Sequence, residues 1–406
     1  MINWRMIKVV KFLHTADWHL GKKYVKLGEK AEEARKIRIR SVENLLEKAK
    51  ANNVDFVIIS GDLFDNNDVD RNLTYKVTEI LAKMNPIPVY ILPGNHDPLT
   101  MDSLYLDPVW NSLENVEIFE DSRSIEIPNM DVTLYPCPIK QKRSKNDFTD
   151  WIEVQDEQIS IGVAHGTLGI IEEEPIFPID PSRAEKSGLD YLALGEWHSF
   201  SEYKCSDGIA RTVYPGTPET TRFGEKDSGT AAIVTIDNHK SCPNIQKLDT
   251  GILKWVNLSK DVYTMDDIQN IESELNTVTN PNSHILNLSL KGTVDQETYN
   301  YLEHLKYRYT ENFMYFDVLN DNVYLKPDLI EFKSMIPEGA ILGRTFEALI
   351  ALMKNHPDME SLSDISSEKT EEIFQEMKGI NINYVSPEVL NRAILILYQM
   401  AKGISK

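Results

Sequence analysis

The chain has few cysteines, no long apolar run, no internal repeat and no excess of positive charge. Its three cysteines, Cys137, Cys205 and Cys242, are scattered over 406 residues. That leaves no disulfide framework and no cysteine-based metal site, and it fits a reducing, cytoplasmic compartment. No stretch approaches the ~20 apolar residues that cross a bilayer. The N-terminus is apolar but broken by Arg5, Lys8 and Lys11, and it runs into Asp17 without a small-residue cleavage site. It therefore reads as a first strand and not as a signal peptide. Lysine and arginine number 43 against 63 aspartates and glutamates, a net charge of −20. This balance argues against a free-standing electrostatic grip on nucleic acid, which needs basic side chains at the phosphates. It leaves a nuclease open, because bound cations offset ligand carboxylates locally and a basic partner can supply affinity for DNA.

What is present alternates. Residues 8–14, 54–60 and 89–92 are apolar, largely β-branched strands. Residues 29–51, with Ile37, Val42, Leu45 and Leu46 on one face, and residues 72–84 have helical spacing. Strands separated by helices of this length imply βαβ crossovers and a sheet buried on both faces. After Trp110 the rhythm becomes strand and turn, at 116–119, 124–127, 132–135, 159–164, 191–194, 211–215 and 230–237, with a polar surface loop at 140–151. The later strands suggest a second sheet packed on the first, so the expected fold is α/β, a four-layer α/β/β/α sandwich. From about residue 248, strands at 255–258, 284–290 and 313–318 and helices at 265–275 and 296–307 suggest a small α+β capping unit, closed by a linker at 326–334. The tail is helical. Leu342, Phe346, Leu349, Ile350 and Met353 form an apolar stripe over 340–354, a polar helix over 366–377 ends at Gly379, and Ser386-Pro387-Glu388 opens a helix that Gly403 ends. The expected domains are 1–247, 248–333 and 334–406.

Five turns carry metal-ligand chemistry, each directly after a strand. They are Asp17-Trp18-His19, Gly61-Asp62-Leu63-Phe64-Asp65, Gly94-Asn95-His96-Asp97, Ala164-His165-Gly166 and Gly195-Glu196-Trp197-His198. Singly, each is matched by an ordinary turn or a structural histidine. Together they place carboxylate, amide and imidazole donors at the ends of buried strands, as two divalent cations acting on a phosphoester require. An aspartate at a glycine turn such as Asp62 can bridge two cations. His96 would stand beside the metals, stabilise phosphoryl charge and protonate the leaving oxygen, with Asp97 orienting its ring.

This ordered set resembles the calcineurin-like metallophosphoesterases. The segments 13–21 and 59–65, with Asp190–Gly195 and Tyr214-Pro215-Gly216-Thr217-Pro218-Glu219, resemble SbcD, the bacterial member of the Mre-eleven nuclease family. The resemblance covers about residues 6–235 and implies a role for each matching position. One cation would be held by Asp17, His19, Asp62 and His198, the other by Asp62, Asn95, His165 and residue 196. Water activated between two Mn²⁺ ions, or two Mg²⁺, would attack phosphorus in line. The implied protein is a DNA exo/endonuclease subunit in repair or foreign-DNA defence. It would be a homodimer within a hetero-oligomer containing an SbcC/Rad50-like coiled-coil ATPase. The capping unit would bind DNA and the tail helices would dock the ATPase.

The chain departs from the family at one ligand. Gly-His-x-His is usual where this sequence has Gly195-Glu196-Trp197-His198. A carboxylate also ligates Mn²⁺ or Mg²⁺, so Glu196 is expected to remain a ligand. Two other readings stay open, a phosphodiesterase or phosphatase acting on nucleotides or small phosphoesters, and a non-catalytic scaffold subunit. Two structural alternatives also stand. The stripe on 340–354 either docks a partner or packs within the chain, and Trp18, Trp197 and Phe223 either stack on a base or belong to the core.

Overall fold

The structure, a computed structural model, describes residues 9–155, 157–171, 175–336, 340–356, 368–377 and 385–401. The expectations for the first eight residues, Ser366, Gly379, Lys402 and Gly403 lie outside these residues. The chain divides into two compact units, residues 1–256 with 283–285, and residues 257–282 with 286–406.

In the first unit, β1 (Val10–Thr15), α1 (Ala31–Ala51), β2 (Phe56–Ser60), α2 (Arg71–Ala82) and β3 (Val89–Leu92) follow the expected alternation. They are followed by β4 (Val116–Ile118), β5 (Ile125–Glu126), β6 (Val132–Cys137), β7 (Ile159–His165), β8 (Thr167–Leu168) and β9 (Pro178–Ile179). Then come α3 (Arg183–Ser187), β10 (Tyr191–Gly195), β11 (Ser201–Lys204), β12 (Ala210–Tyr214), β13 (Thr230–Ile236) and β14 (Asn244–Asp249). Two six-stranded sheets result, ordered β14-β13-β1-β2-β3-β4 and β11-β12-β10-β7-β6-β5. The second sheet does not collect every strand after Trp110. β4 extends the first sheet beside β3, and β13 returns to pair antiparallel with β1.

Alternation along the strands builds the layers. Phe12, Phe56 and Ile58 point into a core shared with Val132, Leu134, Ile161, Val163 and Tyr191 of the second sheet. Leu13, Val57 and Ile59 point the other way, against Val42, Leu45, Val77 and Ile80 of α1 and α2. The outer face of the second sheet is covered differently. Among the described residues the five-residue α3 and the short strands β8 and β9, with Leu168 and Ile179, lie there, and the rest of the cover is irregular chain, including Phe148, Ile152 and Leu189. The 140–151 segment is thus partly a packed layer, with Thr149 fully buried. The architecture is the α/β sandwich expected, with one outer layer mostly of loops.

Strands β1, β2 and β3 run parallel, as do β6, β7, β10 and β12. Parallel strands deliver their C-terminal loops to one edge, and all five ligand-bearing turns leave from such ends.

Mostly in the second unit, β15 (Lys254–Val262), β16 (His284–Val294) and β17 (Tyr315–Leu325) form a three-stranded sheet, interleaved with α4 (Met265–Asn276) and α5 (Gln296–Tyr309). A capping box between Thr264 and Asp267 starts α4. The expected linker at 326–334 is mostly a helix, α6 (Leu329–Met335). The Asp328 side chain caps it by accepting from the Ile330 and Glu331 amides at 2.9 and 3.0 Å. Seven residues are too few to show a helical period. Phe332 is fully buried against the edges of Phe346 and Tyr398, at 4.9 and 5.1 Å between ring centroids. Among the described residues three more helices follow, α7 (Ile341–Lys354), α8 (Glu368–Glu376) and α9 (Pro387–Ala401). The stripe on α7 packs within the chain, with Phe346, Ile350 and Met353 in one cluster with Leu390, Ile394 and Leu397 of α9. Among the described residues no helix is long and apolar enough to cross a membrane.

Candidate metal centre

The ligand-bearing turns are backbone-strained, and the strain falls on the candidate ligands. Asp17, His19, Asp62 and Glu196 have φ of 55°, 42°, 54° and 106°, values that L-residues rarely adopt unless the surroundings enforce them. The enforcement is visible. The Asp17 amide donates to the Gly61 carbonyl at 3.1 Å and the His19 amide to the Asp62 carbonyl at 2.9 Å, so the first two turns brace each other. Two glycines permit the crowding. A Cβ on Gly94 would fall onto Asp62 Oδ1, and one on Gly195 would fall onto the Ser60 carbonyl oxygen.

The side chains converge into two overlapping clusters. In one, His19 Nε2 lies 3.1 Å from His198 Nε2, 3.6 Å from Asp62 Oδ2 and 4.0 Å from Asp17 Oδ1. In the other, His165 Nε2 lies 3.4 Å from Asp62 Oδ2, 3.3 Å from Asn95 Oδ1 and 3.1 Å from Glu196 Oε2. Asp62 Oδ2 belongs to both. Ligand atoms sharing one cation at bonds of about 2.1 Å sit roughly 3 Å apart at right angles, so these separations suit one cation per cluster. Asp17, His19 and His198, and likewise Asp17, Asp62 and His165, each bring one donor atom within 4.8 Å of the others.

The rings are oriented for this use. His165 Nδ1 donates to the Ser60 carbonyl at 2.9 Å, and His198 Nδ1 to Glu225 Oε1 at 2.7 Å. Each bond leaves Nε2 as the atom that faces the cluster. Asn95 Nδ2 donates to Glu196 Oε2 at 2.8 Å, which turns the amide oxygen toward His165. Mixed carboxylate, amide and imidazole donors suit hard to borderline divalent cations.

Electrostatics point the same way. Asp17, fully buried, has its carboxyl pushed up to about 7, first by burial and further by Asp62 and Glu196, against the pull of His165 and His198. Burial also takes the His19 imidazole down to about 3, so it is neutral and available as a ligand. Burial would raise Asp62, but His165, His19 and His96 hold it below the usual carboxylate range. A buried cluster with this many carboxylates is costly unless positive charge enters it.

A calcineurin-like phosphoesterase model matches residues 10–208. Residues 10–208 are a calcineurin-like phosphoesterase domain. The chain is 26% identical over 249 residues to the "Uncharacterized metallophosphoesterase YhaO" of Bacillus subtilis (strain 168), covering 57% of this chain and 59% of that protein, less than two thirds of its length. It is 26% identical over 289 residues to the "DNA double-strand break repair protein Mre11" of Saccharolobus solfataricus, covering 66% of this chain and 73% of that one. It is 22% identical over 295 residues to the Mre11 of Sulfurisphaera tokodaii, covering 70% and 73%. Phosphoesterases of this family are hydrolases that use divalent metals.

Within the phosphoesterase domain, one expected pairing is absent. Asp97 does not orient His96, whose Nδ1 donates instead to the Asp65 carbonyl at 2.9 Å. The buried Asp97 carboxylate accepts from the Gly94 amide at 2.8 Å, the Phe64 amide at 2.9 Å and the Tyr105 hydroxyl at 2.6 Å. It therefore pins two ligand-bearing turns together. Asp97→Ala strands those donors, at about 1–3 kcal/mol for each unsatisfied group. We expect a loss of ~3 kcal/mol and a melting midpoint lower by roughly 6–12 °C. An unchanged melt would refute the pinning.

Three further residues were not singled out for roles in the sequence. Asp65 Oδ1 lies 3.4 Å from His19 Nδ1 and takes a salt bridge from Lys22 at 3.3 Å. Glu225 holds His198, and Thr221 donates to it in turn. Of the aromatics, Trp18 is fully buried and its indole N–H donates to Thr15 Oγ1, while Phe223 packs edge-on against Trp255. Trp197, by contrast, is exposed at the rim.

Glu196 sits where the departing ligand was expected, in contact with His165 and Asn95. Glu196→Ala should weaken one of two Mn²⁺ equivalents by at least about tenfold, the worth of one good charged donor, and leave the other unchanged. Isothermal titration reads this directly, and two unaltered equivalents would exclude Glu196 as a ligand.

Proposed function

We propose that the chain is a DNA nuclease subunit that hydrolyses phosphodiester bonds at two divalent cations, with Mn²⁺ preferred and Mg²⁺ tolerated. The observation that carries this is Asp62, whose Oδ2 is common to a His19–His198 cluster and a His165–Asn95–Glu196 cluster. Asp17, His19, Asp62 and His198 would hold one cation, and Asp62, Asn95, His165 and Glu196 the other. Bound there, the cations would supply Lewis-acid stabilisation of phosphoryl charge and an activated water.

The chain's own residues do the rest. His96 is exposed beside the clusters. Its basicity would fall with burial, but Asp62 and the Asp65 carbonyl raise it. With Nδ1 held by Asp65, Nε2 is the atom that delivers a proton to the leaving oxygen. Asp97 is a positioning residue for the Asn95-His96 turn. DNA as substrate is supported by the relatives named as double-strand break repair proteins. A partner is supported by the charge of −20, which leaves the chain poorly equipped to hold DNA alone. On α9, Val389, Ile396 and Met400 stay 49–60% exposed and share a helical stripe, a surface suited to an SbcC/Rad50-like coiled-coil ATPase.

The test is the full chain with Mn²⁺, with and without an SbcC/Rad50-like coiled-coil ATPase, on end-labelled DNA and on mononucleotides. We expect the DNA to be cut. Phosphate release from mononucleotides with DNA intact in both arms would overturn the proposal.

A further inference from the structure

Helix α1 buries an arginine on its apolar face. Arg38 is 1% exposed and Ser41 fully buried, among Ile37, Val42 and Leu45. A guanidinium in such a place is tolerated only if its donors are met, and all five are. Nε donates to the Trp18 carbonyl at 2.5 Å. Nη1 donates to the Tyr24 hydroxyl at 2.9 Å and the Glu219 carbonyl at 2.8 Å. Nη2 donates to the Asp17 carbonyl at 3.2 Å and to Thr217 Oγ1 at 2.9 Å. None of these acceptors is a carboxylate. The carboxylate of Glu219 is occupied by the Ser41 hydroxyl at 2.5 Å and the amides of Ile252 and Leu253 at 2.8 and 3.0 Å.

The acceptors are informative by position. Two are the carbonyls of the left-handed Asp17–His19 turn. A third, Thr217, reaches the same turn and also the turn of His198. Its hydroxyl lies 2.8 Å from the Asp17 carbonyl oxygen, and its amide donates to the His198 carbonyl at 3.1 Å. One guanidinium and one threonine thus tie together the two turns that carry Asp17, His19 and His198. Neither touches the turns that carry Asn95 and His165 in these bonds, while Glu196, on the turn of His198, joins the other cluster through its own carboxylate and its amide donates to the Asp17 carboxylate at 3.2 Å.

We propose that Arg38 and Thr217 are positioning residues that set the affinity of one cation position, the Asp17–His19–His198 position, more strongly than that of the other. This rests on the metal-binding reading of the cluster. The planar five-donor fork is specific to arginine, and lysine, with a single donor atom, cannot span the same acceptors.

The experiment titrates the metal-free full chain with Mn²⁺ for wild type, Arg38→Lys, Thr217→Val and Thr217→Ser. Manganese paramagnetic resonance is recorded in parallel, with a melt of each metal-free protein as a fold check. Wild type should take two equivalents with an exchange-coupled pair spectrum. Arg38→Lys and Thr217→Val should weaken one equivalent at least about tenfold, leave the other within about twofold and show the spectrum of isolated ions. Thr217→Ser, which keeps the hydroxyl, should restore the pair. Two wild-type equivalents in Thr217→Val and Arg38→Lys would overturn the proposal. So would equal weakening of both equivalents alongside a lowered melt, which marks general destabilisation. Failure of wild type itself to bind two ions would instead overturn the metal-binding reading.

Discussion

Asp62→Asn should lower kcat for the proposed phosphodiester cleavage by on the order of 10³-fold, equivalent to ~4 kcal/mol of transition-state stabilisation. The size follows from the position. Asp62 Oδ2 lies 3.6 Å from His19 Nε2 and 3.4 Å from His165 Nε2, so one oxygen of this carboxylate reaches both clusters. Asparagine keeps the shape, and its side chain can still accept from the His96 amide, which Asp62 Oδ1 takes at 2.9 Å. What it removes is a charge that several imidazoles already hold ionised. The fold should therefore survive while both metal affinities fall. Steady-state rates on DNA with metal titration check this, and a variant that retains two tightly bound ions and near-normal turnover would refute the bridging role.

The second large effect is at His96, and it should depend on the leaving group. His96→Ala should lower cleavage of DNA by about 10²–10⁴-fold, the usual worth of a positioned general acid. Bis(p-nitrophenyl) phosphate expels a leaving group that needs no proton, so its hydrolysis should fall far less. Metal content should be unchanged, because the His96 ring is tied to the Asp65 carbonyl and lies outside both proposed donor sets. Equal losses on the two substrates would show that His96 acts on phosphoryl charge or on the metals and does not donate a proton.

The turns that carry Asp17, Asp62, Asn95, His165 and Glu196 were legible because each follows a buried parallel strand, a pattern local in sequence. The supporting residues were not. Glu225 acts through His198, 27 residues away, and Asp65 acts through His19 from a different turn. No period or spacing ties such pairs together. Arg38 did leave a local signal, a charge on the apolar face of a helix, which becomes interpretable only once its five acceptors are known. Sheet membership was similarly hidden. β13 reads as a strand, but its pairing with β1 across more than two hundred residues is set by tertiary packing. The role of Asp97 was misread because adjacency to His96 suggested a contact that the turn geometry gives to Gly94 and Phe64.

The measurement that bears most directly on the account is a calorimetric titration of the metal-free full chain with Mn²⁺. Two equivalents per chain are predicted, with Asp62→Asn weakening both and Glu196→Ala weakening one. A single equivalent in the wild type, unaffected by Asp62→Asn, would contradict a two-cation site built around that shared carboxylate.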